Sequence, residues 1–207
     1  MTKPQIILFK NDIPDDLVIE GDIAIDTEAM GLSFKRDRLC AIQISDANDN
    51  AYIIQIEKNQ QEAPNLKKLF ESKEPVKILH YARFDVAMLY QYLNIKVENI
   101  FCTKIASKIA RTYTDSHGLK ELCRELLSVQ ISKQQQSSDW GAENLTKEQQ
   151  IYSASDVLYL HKIRDKLSIM LIREDRLDLA KDCFKFIHSR MRLDLAGWES
   201  VDIFSHH

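Results

Sequence analysis

The chain has 207 residues, of which 44% are hydrophobic and 29% charged, an ordinary composition for a globular protein and enough for one well-packed domain. Its formal net charge of −3 argues against a protein that grips long duplex nucleic acid by bulk electrostatic attraction, but not against a small phosphate-bearing ligand at a local basic patch. The longest apolar runs, residues 6–9 and 169–172, are too short to cross a bilayer, and the N-terminal residues show no export pattern, so we expect a cytoplasmic protein without a membrane partner.

The first third of the chain predicts strands. Residues 18–26, 39–45 and 51–56 are short runs rich in β-branched side chains, separated by turn-forming residues. Short connections between neighbouring strands indicate an antiparallel meander. Further along, residues 65–72 predict a helix and residues 76–80 a buried strand.

After a second helix at residues 84–93 and a short strand at 97–101, the pattern becomes helical. This order of elements favours an α/β fold with a mixed central sheet flanked by helices and a helical C-terminal half. The later helices are predicted at residues 103–113, 119–127, 146–172 and 173–190, the third of them beginning with a capping threonine, Thr146.

The polar segment 128–139 predicts a loop, and no stronger boundary divides the chain. We therefore expect a single domain over residues 1–207, with its core at about 17–172 and a C-terminal helix and tail at 173–207. Trp198 and Phe204 in this tail are expected to dock on the domain or to form an interface. The four cysteines (Cys40, Cys102, Cys123, Cys183) lack the spacing of a zinc site or a disulfide scaffold and are interpreted as reduced thiols.

Acidic residues inside or beside apolar runs are the most informative feature. Asp26 and Glu28 lie two apart at the end of a predicted strand and so point to the same side. Tyr152 and Asp156 lie four apart and share a helix face, and Asp85 begins a helix after a buried strand. Each group taken singly has a simpler explanation. The first pair could be a solvated strand end, the second a phenol–carboxylate hydrogen bond, and Asp85 a helix cap.

Taken together, these carboxylates predict a metal site. Unpaired charge is expensive in apolar surroundings, and divalent cations are the simplest way to keep several carboxylates in one dry place. Oxygen ligands select Mg²⁺ or Mn²⁺ over softer metals. A metal-dependent phosphoryl-transfer site is therefore the first hypothesis.

The order and type of these segments, AIDTE, HYARFD and YSASD, resemble the DEDDy branch of the DnaQ-like 3′–5′ exonucleases, which have a ribonuclease H-like fold. The segments LKELCRELL, SSDW and SASDVLYLHKIRDKL are similar to ribonuclease D, and CTKIASKIARTYTDSHGLKELC, SKQQQSSDW and LDLAGWESVDIF resemble the short ribonuclease D-like NrnC proteins. This resemblance implies an exoribonuclease that removes nucleotides from very short RNA, prefers dinucleotides, uses two divalent cations and assembles as a ring-like octamer.

Under this resemblance each acid receives a role in two-metal chemistry. Asp26 is expected to bridge the two cations, with Glu28 and Asp156 completing the site of the cation on the nucleophile side. Asp85 is expected to hold the second cation through water. Tyr152 is expected to orient the attacking water by hydrogen bonding, and the product is a nucleoside 5′-monophosphate.

The residues Met30, Gly31 and Leu32 are expected to contact the substrate. In related exonucleases a leucine at the place of Leu32 wedges between the two bases of a dinucleotide; the alternative is that Met30 and Leu32 pack under their loop. His80 and Phe84, beside the second acidic segment, are candidates for the pocket of the 3′-nucleotide.

A preference for dinucleotides requires donors just beyond two nucleotides, where they would bind the 5′-phosphate and obstruct longer chains. One candidate set is a basic helix face formed by Lys104, Lys108 and Arg111, for which a solvated helix face is the alternative. The other comes from the loops that flank the next helix, and its members are His117, Lys133, Gln136, Ser137 and Ser138.

Two other functions stay open. An exonuclease of the same fold could act on longer RNA 3′ ends or on DNA ends, although the low net charge speaks against it. A non-catalytic nucleic-acid-binding module would be expected to have lost at least one acid, whereas all four acids and Tyr152 are present.

Overall fold

The computed structural model describes residues 4–46, 48, 50–132, 134–135 and 137–206. Within these residues six strands are present: β1 (Ile6–Lys10), β2 (Ile23–Ala29), β3 (Leu39–Ser45), β4 (Ala51–Gln55), β5 (Lys77–Leu79) and β6 (Ile100–Cys102). They form one sheet in the order β1-β4-β3-β2-β5-β6. The predicted mixed sheet is confirmed, because β2, β3 and β4 pair as an antiparallel meander while β1, β5 and β6 pair parallel to their neighbours.

Two strand predictions differ from the structure. The strand predicted at residues 18–26 begins only at Ile23, because Gly21 has a φ of 71° and turns the chain ahead of it. It then continues to Ala29, since Glu28 still pairs with Ala41 of β3. Strand β1 was not predicted; it pairs with β4, about 40 residues further along the chain, and no local turn signals that pairing.

The helices of the described ranges flank this sheet, as predicted. They are α1 (Pro64–Glu71), α2 (Ala82–Leu93), α3 (Thr103–Ala110), α4 (Leu119–Leu127), α5 (Lys147–Leu158), α6 (Leu160–Arg173) and α7 (Leu177–Leu193), and a π-helical segment, Asp194–Trp198, continues α7. No helix within the described residues is long and apolar enough to cross a membrane.

The long helix predicted at residues 146–172 is wrong in one respect, because it breaks at Tyr159 into α5 and α6. The two halves have different partners: α5 packs on the strands β1 to β4, whereas α6 packs mainly on α3 and α4. The predicted cap at Thr146 is confirmed. Its Oγ1 accepts a hydrogen bond from the Gln149 backbone at 3.2 Å, and Gln149 Oε1 accepts one from the Thr146 backbone at 2.9 Å.

The apolar core lies between the sheet and these helices. Fully buried side chains of β2 and β3 pack with those of α1 and α6; among them are Ile23, Ile25, Ile42, Ile44, Leu66, Phe70, Leu167 and Leu171. Cys40, Cys102 and Cys123 are free thiols in buried positions, whereas Cys183 is partly exposed. The core fixes β2 at the centre of the sheet, where the acidic residues lie.

The C-terminal tail docks on the domain through polar groups and one aromatic contact. Buried Asp194 forms ion pairs of 2.6 Å with both Arg83 and Arg190. Trp198 and Phe204 remain 52% and 77% exposed. The tail is therefore anchored by Asp194 and by the contact of the Phe204 ring with that of Phe186, whose centroids are 5.8 Å apart, although Trp198 and Phe204 keep most of their surface exposed.

Candidate metal-dependent active site

Strand β2 presents two carboxylates on one side of the sheet. Asp26 and Glu28 alternate with Thr27 along the strand, so their side chains share a face. Helix α5 packs across β2 and β3 and brings Asp156 to the same place. One ligand oxygen from each of Asp26, Glu28 and Asp156 lies within 4.8 Å of the other two. The predicted convergence of these acids is therefore present.

The fourth acid lies behind this cluster. Asp85, in the first turn of α2, is 3% exposed and accepts a hydrogen bond from Thr27 Oγ1 at 2.7 Å. Its charge acts on both Asp26 and Glu28. All four predicted carboxylates thus belong to one electrostatic unit.

Burial and mutual repulsion favour protonation of the cluster. Burial raises the pKa of Asp26 well above its ordinary value, and the charges of Asp85 and Asp156 raise it further. Burial, followed by the charges of Asp156 and Asp85, raises the pKa of Glu28 to about 9. Burial raises the pKa of Asp85 to about 7, opposed by the hydrogen bond from Thr27. When all of its carboxylates are ionised, the cluster therefore carries more negative charge than its surroundings stabilise.

Tyr152 lies one turn before Asp156 on α5 and hydrogen-bonds to it. Burial raises the pKa of the Tyr152 phenol above its ordinary value, as does the charge of Asp156. The phenol consequently stays protonated at neutral pH and can donate a hydrogen bond, but it is not a base. The ring of buried Trp140 lies against it, with ring centroids 6.0 Å apart, and limits its movement.

The donor set fits divalent cations. Three carboxylate oxygens lie within mutual reach, and burial together with the neighbouring charges raises the pKa values of Asp26 and Glu28, so the cluster would gain most from a small doubly charged ion. All of these ligands are oxygens, the type that hard cations such as Mg²⁺ and Mn²⁺ prefer. The site can therefore bind such ions without any change in its residue types.

Asp26, Glu28 and Asp156 lie at the wall of a cavity of about 690 Å³, whereas Asp85 is not among its lining residues. Seven of the predicted substrate residues line it: Met30, Gly31, Leu32, His80, Phe84, Ser137 and Ser138. Leu32 is 84% exposed and Met30 60% exposed, so they do not pack under their loop. The Phe84 ring contacts that of Phe34, with centroids 5.5 Å apart.

The predicted basic helix face is not formed. Helix α3 ends at Ala110. The Arg111 side chain points into the protein, because its guanidinium forms an ion pair with Glu125. Arg111 is fully buried and also donates to the Ser116 carbonyl at 2.9 Å. Lys108 is exposed on α3, outside the lining of the cavity.

The loop candidates have different outcomes. His117 also lies outside the cavity lining, and its Nδ1 is 2.9 Å from Ser107 Oγ. Lys133 and Gln136 lie outside the described residues.

Some cavity residues were not predicted. They are Thr27, Ala29, Gly118, Leu119, Lys120, Ile131, Ser132 and Trp140. One signal could have found three of them: Gly118 precedes α4, and the free N–H groups of a helix N-terminus beside Lys120 are suited to an anion. Thr27 and Ala29 lie beside the predicted acids in β2, whereas Ile131, Ser132 and Trp140 reach the cavity through loop conformations that no local pattern specifies.

Comparisons with known proteins agree with this geometry. A family model described as 3′–5′ exonuclease matches residues 9–172. The chain is 32% identical over 164 residues to the ribonuclease D of Acidiphilium cryptum, an alignment that covers 79% of the chain but 41% of that relative. The chain thus spans less than half the length of this relative.

Solved structures give full-length matches. The chain is 50% identical to Brucella melitensis NrnC bound to pGG, with a TM-score of 0.94, and the match covers 99% of the chain and 100% of that structure. The same Brucella protein with bound Mg²⁺ is 49% identical, with a TM-score of 0.93 and coverage of 98% and 100%.

Proposed function

This chain belongs to the 3′–5′ exonuclease family, as an exonuclease of the ribonuclease D and NrnC type, and we propose that it is a two-metal-dependent 3′–5′ exoribonuclease of very short RNA. Its preferred substrates are 5′-phosphorylated dinucleotides and its products nucleoside 5′-monophosphates. The observation that carries this proposal is the convergence of the Asp26, Glu28 and Asp156 oxygens within 4.8 Å at the wall of the cavity. The pGG bound to the similar Brucella protein supports the substrate length.

The four acids have different roles as metal ligands. Asp26 would contribute to both ion sites, Glu28 and Asp156 would complete one of them, and Asp85 would serve the other. When bound, the two ions, Mg²⁺ or Mn²⁺, activate water for attack and neutralise the charge that develops on the phosphate. Mg²⁺ in the similar Brucella structure supports the choice of metal.

Tyr152 positions the attacking water. Its phenol is protonated at neutral pH, because burial and the Asp156 charge raise its pKa, so it orients water by hydrogen bonding instead of removing a proton. Trp140 keeps the phenol ring in place. Attack at the last phosphodiester then releases the 3′-terminal nucleotide with its 5′-phosphate.

Leu32 and a set of hydrogen-bond donors at the cavity wall limit substrate length in this proposal. Leu32 projects from β2's end with 84% of its surface exposed and can stack between two bases of any identity. The N-terminus of α4 with Lys120, together with Ser137 and Ser138, offers donors for the 5′-phosphate. Lys133 and Gln136 of the same loop stay part of this proposed phosphate site.

Turnover on 5′-phosphorylated RNA of two to about ten nucleotides, with matched duplex DNA, tests the proposal. We expect the dinucleotide to give the highest kcat/KM, since donors beyond the second nucleotide stop contributing when the chain continues. A ladder in which longer RNA or DNA ends are cut faster would assign the chain to the ribonuclease D-like alternative.

We also propose that the chain, as one domain per subunit, assembles into the ring-like octamer that the resemblance implies. The exposed apolar side chains of the tail are a candidate surface for this assembly: Trp198, Val201, Ile203 and Phe204. Light scattering on the purified protein measures the mass directly, and a monomer at micromolar concentration would contradict this part.

A further inference from the structure

Gln43 is fully buried in β3, yet neither end of its side-chain amide has a partner. Its exposure is 0%, and none of the described residues forms a hydrogen bond with its Oε1 or its Nε2. A buried amide without hydrogen bonds is costly, and folded proteins contain few of them. The position of this amide in the sheet indicates what it serves.

The register of the sheet places Gln43 beside Asp26. The two residues are directly opposite each other in the antiparallel pair of β2 and β3. Side chains of opposite residues stand on the same face of a sheet, with their Cβ atoms about 5 Å apart. The Gln43 side chain therefore lies on the face that carries Asp26 and Glu28, across which helix α5 packs.

The other neighbours of Gln43 on this face are poorer partners for its N–H groups. Ile53, which is opposite Gln43 in β4, is apolar, as is Ala41 in β3 itself. The Ser45 hydroxyl is already hydrogen-bonded to a backbone carbonyl. Asp26 is thus the neighbour in this group that offers a carboxylate, the strongest acceptor among side chains.

A donor for the other end of the amide belongs to the adjoining apolar cluster. Trp140 packs there with Ala41 and Ile53, the two apolar neighbours of Gln43. Its Nε1 is also buried and has no partner among the described residues. An indole N–H can only donate, so it matches the Gln43 oxygen and leaves the amide N–H groups for Asp26.

We propose that Gln43 is a positioning residue for Asp26: its Nε2 donates a hydrogen bond to the Asp26 carboxylate and orients this carboxylate to hold both cations. This role rests on the proposed function, in which Asp26 contributes to both ion sites. An ionised carboxylate has about four acceptor sites, so the amide can use one of them while others are directed at the ions. Removing a hydrogen-bonded partner of a metal ligand lowers metal affinity by about tenfold to 100-fold.

Gln43→Met separates this positioning role from a structural one. Methionine is about as long as glutamine and is apolar, so it removes the unpaired amide without leaving a cavity. We expect the metal-free variant to unfold at the urea concentration of the wild type or at a higher one, because no hydrogen bond of the metal-free fold is lost. Its Mg²⁺ affinity, measured by calorimetric titration with Mg²⁺ alone, should fall by about tenfold or more.

Gln55→Met is the matched control. Gln55 is also buried, but its Nε2 donates to the carbonyls of Ala142 and Glu143 at 2.9 and 3.2 Å. Losing these bonds should lower the urea concentration at which the metal-free protein unfolds. The Mg²⁺ affinity should stay close to that of the wild type, since Gln55 is opposite Ala41 and not opposite an acid.

A crystal structure of the wild type with Mg²⁺ gives a measurement that needs no variant. Gln43 Nε2 should lie about 2.9 Å from an Asp26 carboxylate oxygen, and a separation above about 3.5 Å would overturn the positioning role. An unchanged Mg²⁺ affinity in Gln43→Met would also overturn it, as would a loss of metal-free stability like that of Gln55→Met.

These outcomes are distinct from a failure of the proposed function. If the wild type neither binds Mg²⁺ nor cleaves a 5′-phosphorylated diribonucleotide, the proposed function fails and the role of Gln43 fails with it. If the wild type does both and Gln43→Met matches it in Mg²⁺ affinity, the function stands and the role of Gln43 alone is refuted.

Discussion

Thr27 Oγ1 donates a hydrogen bond of 2.7 Å to Asp85 Oδ1, and both side chains are buried, at 6% and 3% exposure. Thr27 lies between Asp26 and Glu28 in β2, whereas Asp85 comes from α2, 58 residues along the chain. The bond therefore joins two of the acidic segments directly. Because a hydroxyl donor stabilises the ionised carboxylate, it opposes the effect of burial on the pKa of Asp85.

Removing this donor should weaken both the fold and the metal site. Thr27→Val has nearly the same shape but leaves Asp85 without its hydroxyl partner, so we expect the free energy of unfolding to fall by about 1–3 kcal/mol. Mg²⁺ affinity should also fall, because the pKa of Asp85 rises further. Calorimetric Mg²⁺ titration and denaturant unfolding measure the two effects. Thr27→Ser keeps the donor and should behave like the wild type; equal losses in both variants would contradict this role.

The stability of the metal-free protein should decrease as the pH rises above neutrality. The pKa of Glu28 is about 9 in the folded chain against an ordinary 4.5, so the folded state binds a proton that the unfolded state has lost. This contribution is complete below about pH 4.5 and is lost as the pH rises through 9. We expect a loss of about 2 kcal/mol in the free energy of unfolding between about pH 7 and pH 9.

Urea unfolding with a chelator measures this dependence, and Glu28→Gln is the control that should reduce it, while Asp26, whose pKa is also raised, keeps part of the slope. His80 does not interfere in this range, since its pKa is about 3 in the folded chain and 6.5 ordinarily, and it affects stability only between those values. A wild-type stability that is constant or increases up to pH 9 would be incompatible with the raised pKa of Glu28.

Metal binding should release protons. At about pH 7 Glu28 is protonated in the metal-free chain, and a carboxylate must lose its proton to coordinate an ion. We expect release of about one proton or more per chain, seen as a dependence of the calorimetric Mg²⁺ binding heat on the ionisation enthalpy of the buffer. The release should become smaller as the pH rises through 9, where Glu28 ionises without metal, and a heat that is independent of buffer at pH 7 would count against it.

Leu32→Ala should impair substrate binding without affecting stability. Leu32 is 84% exposed, so its truncation removes little packing, whereas the loss of base stacking should raise the KM for a dinucleotide by about fivefold or more. Val18→Ala is a matched control, because Val18 is 76% exposed and outside the cavity lining. Steady-state kinetics on both variants measure KM, and thermal unfolding measures their stability. An unchanged KM in Leu32→Ala would exclude the stacking of Leu32 between the two bases.

The central acids could be predicted from the sequence because each depends on local periodicity. The spacing of two in β2 and of four in α5 places Asp26 with Glu28 and Tyr152 with Asp156 on common faces, whatever the rest of the chain does. The resemblance to the exonucleases supplied the order in which these segments meet. Family membership and the fold followed from the same residues.

Other parts depend on contacts that are distant in sequence. Arg111 continues a basic helix pattern in the sequence. Its side chain nevertheless points inward, because it forms an ion pair with Glu125 and donates a hydrogen bond to the Ser116 carbonyl, both of which follow the end of α3. The Thr27–Asp85 bond and the register that aligns His80 with Thr103 arise only when the sheet assembles. No local pattern contains this information.

Hydrolysis of a 5′-phosphorylated diribonucleotide with Mg²⁺, by the wild type and by Asp26→Asn, is the most direct test of the account. We predict that the wild type releases two nucleoside 5′-monophosphates and that Asp26→Asn, which keeps the shape of the side chain but loses the charge shared by both ions, falls to the level of the chelator-treated wild type. Comparable hydrolysis by Asp26→Asn, or by the wild type in the presence of chelator, would contradict the carboxylate-held metal site.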